Sequence, residues 1–222
     1  MLGLRPIIVP APFEVWLAEL HTEPADSLQA SLSDRERQRA ARFVFARDRR
    51  RYLAAHCALR HLLAVRTGVP AHALQFLEGP HGKPALHGTS ACAFNLSHSE
   101  DIALVALAED GEIGIDVEML RPMPDAVELA QRNFSASECA ELAATPHSQQ
   151  DLAFLLCWTR KEACLKAIGS GLSIAPHIFT AGLSLAPCSV RIETPAGIVG
   201  VHVQSFSAGP QIVASLARIE TV

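Results

Sequence analysis

The sequence predicts an α+β fold built as two similar α/β lobes, and three observations predict it. Each half of the 222-residue chain reads as strand, capped short helix, long helix and further strands. The length suits one large domain or two of about 100 residues each. A strong turn dipeptide, Asp110-Gly111, lies at the midpoint and divides the chain into residues 1–109 and 110–222.

The elements follow from local pattern. Phe13-Glu14-Val15-Trp16-Leu17-Ala18 alternates and suits a strand. Ser33-Asp34-Arg35-Glu36 is a capping-box pattern that opens a helix. A longer helix follows over about 48–66, with Leu53, Cys57, Leu59, Leu62 and Leu63 as apolar positions, and Gly68-Val69-Pro70 ends it. Residues 79–90, rich in Gly, Pro and His, read as a loop. Ala93-Phe94-Asn95-Leu96 and residues 102–108 suit paired strands, with 97–101 as their turn and 112–118 as the next strand.

In the second half, Ser135-Ala136-Ser137-Glu138 is another capping box. A second long helix over about 150–168 stops at Gly169-Ser170-Gly171, and strands are expected over 181–185, 189–193, 198–206 and 211–219. Leu59-Arg60 and Leu165-Lys166 sit at similar places on the two long helices, as two homologous lobes require.

Composition bounds the function. At 49% hydrophobic and 19% charged residues, the chain is an ordinary globular protein. No apolar run approaches the roughly 18 residues of a membrane span. The first residues, with prolines at 6, 10 and 12, lack a charged-then-apolar signal pattern, so a cytoplasmic protein without a membrane partner is expected. Cysteines 57, 92, 139, 157, 164 and 188 form no C-x-x-C pair or ligand spacing and read as free thiols. Net charge is −4, yet residues 35–66 hold ten arginines against two acids, while residues 100–162 hold thirteen carboxylates against four basic residues. A basic half and an acidic half suggest a polyanionic ligand and a cation in one molecule, and the absence of overall positive charge argues against nucleic acid.

Two stretches carry the chemistry. In Gly114-Ile115-Asp116-Val117-Glu118, a strand puts Asp116 and Glu118 on one face. Alone, D-x-E also suits the solvent side of an edge strand, but two acids on one face repel, and a hard cation such as Mg²⁺ removes that conflict. In Trp158-Thr159-Arg160-Lys161-Glu162-Ala163-Cys164-Leu165-Lys166, a helix puts Trp158, Glu162 and Lys166 on one face. Glu162 with Lys166 is also a favoured surface pair worth about 0.2–0.5 kcal/mol. The tryptophan on the same face implies partial burial, where both charges need a partner such as metal or phosphate. Arg160 and Lys161 lie off that face and could reach other phosphates. Asn95-Leu96-Ser97-His98-Ser99 and Gly82-Lys83-Pro84 offer polar groups and a lysine at turns, where ligand contacts concentrate.

These segments, in this order and at this spacing, resemble the phosphopantetheinyl transferases of the surfactin-synthetase-activating (Sfp) type. Gly82-Lys83-Pro84, Asn95-Leu96-Ser97-His98-Ser99, Gly114-Ile115-Asp116-Val117-Glu118, Trp158-x-x-Lys161-Glu162-x-x-x-Lys166 and the turn Gly169-Ser170-Gly171-Leu172-Ser173 carry the resemblance, which covers roughly residues 30–185. The length is similar to that of the two-lobed members, so the resemblance implies lobes related by a pseudo-twofold axis, with the active site in the cleft between them. It implies a reaction: a serine hydroxyl of an apo acyl or peptidyl carrier protein attacks the β-phosphate of coenzyme A, phosphopantetheine moves to the serine, and adenosine 3′,5′-bisphosphate leaves. It also implies roles. Asp116, Glu118 and Glu162 would hold Mg²⁺, and Glu162 or a metal-bound water would take the serine proton. Lys166 would neutralise the phosphate, and Ser97 and His98 would lie near the ribose 3′-phosphate. Lys83 would grip the pyrophosphate or adenosine. Arg47 and Arg51 match the region that grips the 3′-phosphate, although the family often has lysines where this chain has arginines over 42–51. Lys161 would bind the coenzyme's phosphates.

Two other classes fit parts of the pattern. A D-x-E strand with a helical Glu and Lys also suits a metal-dependent nuclease, which would leave the Ser-His-Ser and Gly-Lys-Pro segments unexplained. A non-catalytic module binding carrier proteins or coenzyme A would not require the acids. Which carrier is modified, from fatty-acid, polyketide or peptide synthesis, is open. Two lobes in one chain suit a monomer.

Overall fold

A computed structural model describes residues 2–88 and 92–220. Thr89 and Ser90, the end of the expected 79–90 loop, lie outside the described residues. The fold is α+β, with two compact units: Met1–Glu78 with Pro84–Asp110, and Gly79–Lys83 with Gly111–Val222. No helix among the described residues is long and apolar enough to cross a membrane.

The first unit holds strands β1 (Gly3–Ile7) and β2 (Glu14–Glu19), helices α1 (Asp26–Gln29), α2 (Asp34–Ala40) and α3 (Ala46–Thr67), a short ribbon of β3 (Phe76–Glu78) and β4 (Pro84–Leu86), and strands β5 (Ala93–Ser99) and β6 (Ile102–Ala108). Its main sheet has the order β1-β2-β6-β5, with every pair antiparallel. Helix α3 packs small residues, Ala54, Ala55 and Ala58, against Ala18, Leu20 and Ala103. Its larger Leu59, Leu62 and Leu63 fill the space beside Phe94, Val105 and Leu107. Burying such side chains stabilises the fold by about 1.5–3 kcal/mol each. The helix ends where Gly68 turns to φ 72°, a left-handed cap that favours glycine.

The second unit holds β7 (Ile113–Met119), helices α4 (Ala126–Asn133), α5 (Ala136–Ala144) and α6 (His147–Ile168), and strands β8 (Cys188–Thr194), β9 (Gly197–Gly209) and β10 (Ile212–Ile219). The sheet order is β7-β10-β9-β8, again antiparallel, so β7 is an edge strand. Ala163, Cys164 and Ala167 of α6 pack on Val190, Ile192, Val201 and Val203. Phe154 stacks on Phe134 at 5.0 Å and on Trp158 at 6.2 Å between ring centres.

The two units share a plan that each shows separately. The antiparallel order β2-β6-β5 of the first matches β7-β10-β9 of the second. In each, a capping box starts the short helix, Ser33 with Glu36 and Ser135 with Glu138. In each, the capping glutamate also binds a cation at the fifteenth residue of a 22-residue helix: Arg60 of α3 and Lys161 of α6. Arg60 donates to the carbonyls of Ala71 and Leu74, which bracket the 3-10 turn Ala71–Ala73. Lys161 donates to the carbonyls of Pro176 and Phe179, which bracket the 3-10 turn Pro176–Ile178. The equivalent of Arg60 is therefore Lys161. The expected match of Leu59-Arg60 with Leu165-Lys166 is out of register, because the structural role and not the charge motif fixes the alignment.

Several elements depart from expectation. Residues 181–185 form no strand. The backbone N–H groups of Ala181 and Gly182 donate to Glu138 Oε1, at 2.7 and 3.0 Å, rather than to a sheet neighbour. Strand β5 runs on to Ser99, so the turn before β6 contains only Glu100, at φ 49°, and Asp101. Strands β1, β3 and β4 and helices α1 and α4 were not expected. The cysteines are free, as their spacing predicts, and Cys57, Cys92, Cys157 and Cys164 are buried.

Candidate active site

Strand β7 presents Asp116 and Glu118 on one face, while Ile115 and Val117 are buried on the other. Helix α6 crosses close to this strand at Gly114. A Cβ built there would lie 2.1 Å from the Ala163 carbonyl oxygen and 2.4 Å from the Ala167 nitrogen. Only glycine permits the approach, and the approach brings the carboxylates of β7 to the face of α6 that carries Glu162 and Lys166.

Lys166 Nζ lies 2.6 Å from Asp116 Oδ1. Asp116 is buried at 6% exposure. Burial pushes the Glu162 carboxyl above the usual range, the negative charges of Asp116 and Glu118 push it further, and Lys166 opposes them. Glu162 thus feels the other three groups. Lys166 pairs with Asp116 across the elements and not with Glu162 along the helix surface, so the simple surface-pair reading does not apply. Glu118 Oε2 accepts from Arg121 at 2.7 Å. Among the described residues, no three His, Cys, Asp or Glu side chains are already drawn into a metal-holding group. The donor set nevertheless fits a hard divalent cation. It is all oxygen, and its three carboxylates outnumber Lys166 and Arg121, the two cations paired with them.

The remaining expected site residues fall into three groups. In the first unit, Ser97 is buried and His98 exposed, on opposite faces of β5. Arg51 lies beside the turn that follows them, its Nε 2.9 Å from Asp101 and an Nη 2.7 Å from Glu100. Hydrogen bonds from Arg51 hold the Asp101 carboxyl below its usual range, against burial and with help from Arg50. Arg47 is exposed and touches Asp48 at 3.2 Å.

In the second unit, Lys83 reaches the end of α6. Its Nζ is 2.6 Å from Glu112 and 2.8 Å from the Ala167 carbonyl.

Lys161 and Arg160 depart from expectation. Lys161 is 1% exposed, 2.8 Å from Glu138 and 2.9 Å from the Pro176 carbonyl, with a further bond to Phe179. An ammonium has three donors, and these partners use all of them, so Lys161 is not offered to a phosphate. Arg160 is equally enclosed, donating to the carbonyls of Ala181, Ser184 and Ala186. Trp158 owes its partial burial to stacking on Phe154 in the core.

A paired lysine and carboxylate, a second acid two residues along the strand and a helical glutamate are groups that a phosphate-transfer site can use. Comparison with known proteins specifies the chemistry further. The family pattern described as 4′-phosphopantetheinyl transferase superfamily matches residues 112–198, and that described as 4′-phosphopantetheinyl transferase, N-terminal, matches residues 21–110. The chain belongs to the 4′-phosphopantetheinyl transferase superfamily. The 4′-phosphopantetheinyl transferase HetI of Nostoc sp. is 41% identical over 175 residues, covering 76% of this chain and 74% of HetI. The 4′-phosphopantetheinyl transferase psf-1 of Bacillus pumilus is 35% identical over 185 residues, covering 83% of this chain and 78% of psf-1. A 4′-phosphopantetheinyl transferase of Bacillus subtilis is 30% identical over 183 residues, covering 82% of this chain and 80% of its own length. The chain is therefore that of a transferase enzyme.

Three residues that support this cluster carry no distinct functional signal in the sequence. Gly114 has no side chain to attract notice, though its place at the head of the D-x-E strand was visible. Glu112 pairs with Lys83 across 29 residues, and nothing local marks it. Glu138 caps its helix, as the capping box predicts, and its second carboxylate oxygen also accepts from the Ala181 and Gly182 backbone.

Proposed function

We propose that the protein transfers the 4′-phosphopantetheine group of coenzyme A to a serine of an apo acyl or peptidyl carrier protein. The serine oxygen forms a bond to the β-phosphorus, the bond from that phosphorus to the bridging oxygen breaks, and adenosine 3′,5′-bisphosphate leaves. The observation that carries the reading is the meeting of Asp116, Glu118, Glu162 and Lys166 in a chain of this superfamily.

Asp116, Glu118 and Glu162 would hold Mg²⁺, which when bound supplies charge neutralisation to the pyrophosphate. The protein's own groups do the rest. Glu162, on the face of α6 that meets β7, accepts the serine proton. Lys166 turns its ammonium toward the phosphate and offsets charge on the leaving group. Lys83, fixed at the end of α6, serves the pyrophosphate or adenosine.

We assign the ribose 3′-phosphate to the first unit: His98 by its exposed imidazole, with Ser97 next to it on β5, Arg51 at the following turn and Arg47 at the surface. Residues 1–109 are thus the coenzyme-phosphate side and 110–222 the metal-binding and catalytic side, in a chain proposed to act as a monomer.

The test is the intact mass of apo acyl and peptidyl carrier proteins after incubation with the protein, coenzyme A and Mg²⁺, with and without EDTA. The expected result is a gain of one phosphopantetheine group, abolished by EDTA. No gain across several carriers while coenzyme A still binds would point instead to a binding module.

A further inference from the structure

The strongest feature outside the reacting groups is the buried bond between Glu138 and Lys161. Both side chains are enclosed, at 0% and 1% exposure. Burying such a pair costs the hydration of both ions, and an apolar pair of similar volume would often serve stability as well. Its position suggests what else it does.

Glu138 ties together three segments. Oε2 accepts from the Ser135 backbone at the start of α5 and meets Lys161, while Oε1 accepts from Ala181 and Gly182. Lys161 adds the carbonyls of Pro176 and Phe179 and lies over the Phe179 ring at 4.5 Å. These bonds fix the rotation and height of α6 one residue before Glu162. On the side facing β7, the same stretch of helix is fixed by the contact of Gly114 with Ala163 and Ala167. Glu162 therefore sits between a polar anchor and a backbone contact.

We propose that Glu138 and Lys161 form a positioning strut that holds the Glu162 carboxylate in register with Asp116 and Glu118. The inference rests on the phosphopantetheinyl transfer reading for its catalytic consequence, but not for its geometry. The first unit shows what the strut requires. There an arginine, Arg60, does the same work with Glu36 and the carbonyls of Ala71 and Leu74, at the same helix position. An arginine should therefore replace Lys161, although arginine and lysine are rarely interchangeable where a charge meets a ligand directly.

The experiment compares the wild type with Lys161→Arg, Lys161→Met and Glu138→Gln. It reads thermal stability, the Mg²⁺ concentration that half-activates transfer, kcat, KM for coenzyme A, and crystal structures of the wild type and Lys161→Met. Lys161→Arg is expected within about threefold of wild type in every kinetic constant. A folded Lys161→Met is expected to lose about a hundredfold in kcat, the scale set by a 1 Å misplacement. Its Mg²⁺ midpoint should rise, its coenzyme A KM should stay within about threefold, and its Glu162 carboxylate should move away from Asp116. Glu138→Gln should change in the same direction.

A Lys161→Met protein with an unmoved Glu162, or with wild-type kcat and Mg²⁺ midpoint, would overturn the strut. A rise confined to the KM for coenzyme A would make Lys161 a direct phosphate ligand instead. Should Lys161→Met fail to fold, an inactive but folded Lys161→Arg, or a Glu138→Gln with unaltered kcat and Mg²⁺ midpoint, would overturn it equally. A wild type that transfers nothing would sink the proposed function and leave the crystallographic comparison to decide the strut.

Discussion

Asp116 is the residue on which the site turns, because it answers to two partners. Without a divalent cation it holds Lys166 at 2.6 Å, and with one it is proposed as a ligand. Replacing it with alanine removes the proposed ligand and the Lys166 ion pair together. Asp116→Ala should cut transfer by ~1000-fold or more and abolish any Mg²⁺-dependent rise in melting temperature. Near-normal turnover in the mass assay would remove Asp116 from the site. Lys166→Ala is expected to behave differently. Its charge matters most as the leaving group departs, so kcat should fall by ~100-fold while coenzyme A affinity changes by less than about threefold. Calorimetric binding alongside single-turnover kinetics separates the two, and a pure affinity defect would make Lys166 a ground-state contact.

The scale of the element explains why these residues meet. An edge strand and a long helix touch through one glycine, and Gly114→Ala would place a methyl group inside contact distance of the Ala163 and Ala167 backbone. Backbone cannot step aside as a side chain can, so the variant should lose ~3 kcal/mol or more in urea unfolding, with transfer falling in parallel. Unchanged stability would mean that β7 and α6 are further apart than described. The same scale divides what could be read in the sequence from what could not. The long helices and both capping boxes were legible because their signals are local: apolar spacing, a serine three residues before a glutamate, a closing glycine. The faces of Asp116 with Glu118 and of Glu162 with Lys166 followed from strand and helix periods. Residues 181–185 misled because their N–H groups are taken by a carboxylate 43 residues away, which no local pattern announces. Lys161 misled for a related reason. It stands beside Glu162 in the motif, yet one step along a helix turns a side chain about 100°, here out of the site and into the core.

Across the whole molecule, each unit buries one capping glutamate against a cation, and both glutamates tie stability to pH. Burial alone would raise the Glu36 carboxyl, but hydrogen bonds from His56, Arg60 and Ser33 overcome it and hold the group at about 2, against an ordinary 4.5. Burial acts likewise on Glu138, and Lys161 with the Ser135 and Ala181 backbone overcomes it and lowers that group too. A carboxylate bound more tightly when charged stabilises the fold fully above its unfolded pKa and loses that contribution as pH falls through its folded one. Stability should therefore decline from about pH 4.5 toward about pH 2, with Glu36 alone contributing on the order of 3 kcal/mol at neutral pH. Glu36→Gln should be markedly less stable than wild type in urea at pH 7, and the difference should shrink toward pH 2. A gap independent of pH would show that the group is not held low. The repeated anchor separates the framework of a unit from the side chains displayed on it. Counting along the two 22-residue helices, Trp158, Glu162 and Lys166 coincide with Cys57, His61 and Val65, while Lys161 coincides with Arg60. The first unit thus carries the internal brace with neither the acid nor the lysine found beside it in the second. The brace is part of the framework that both units share, whereas the acid and the lysine displayed beside it occur in the second alone.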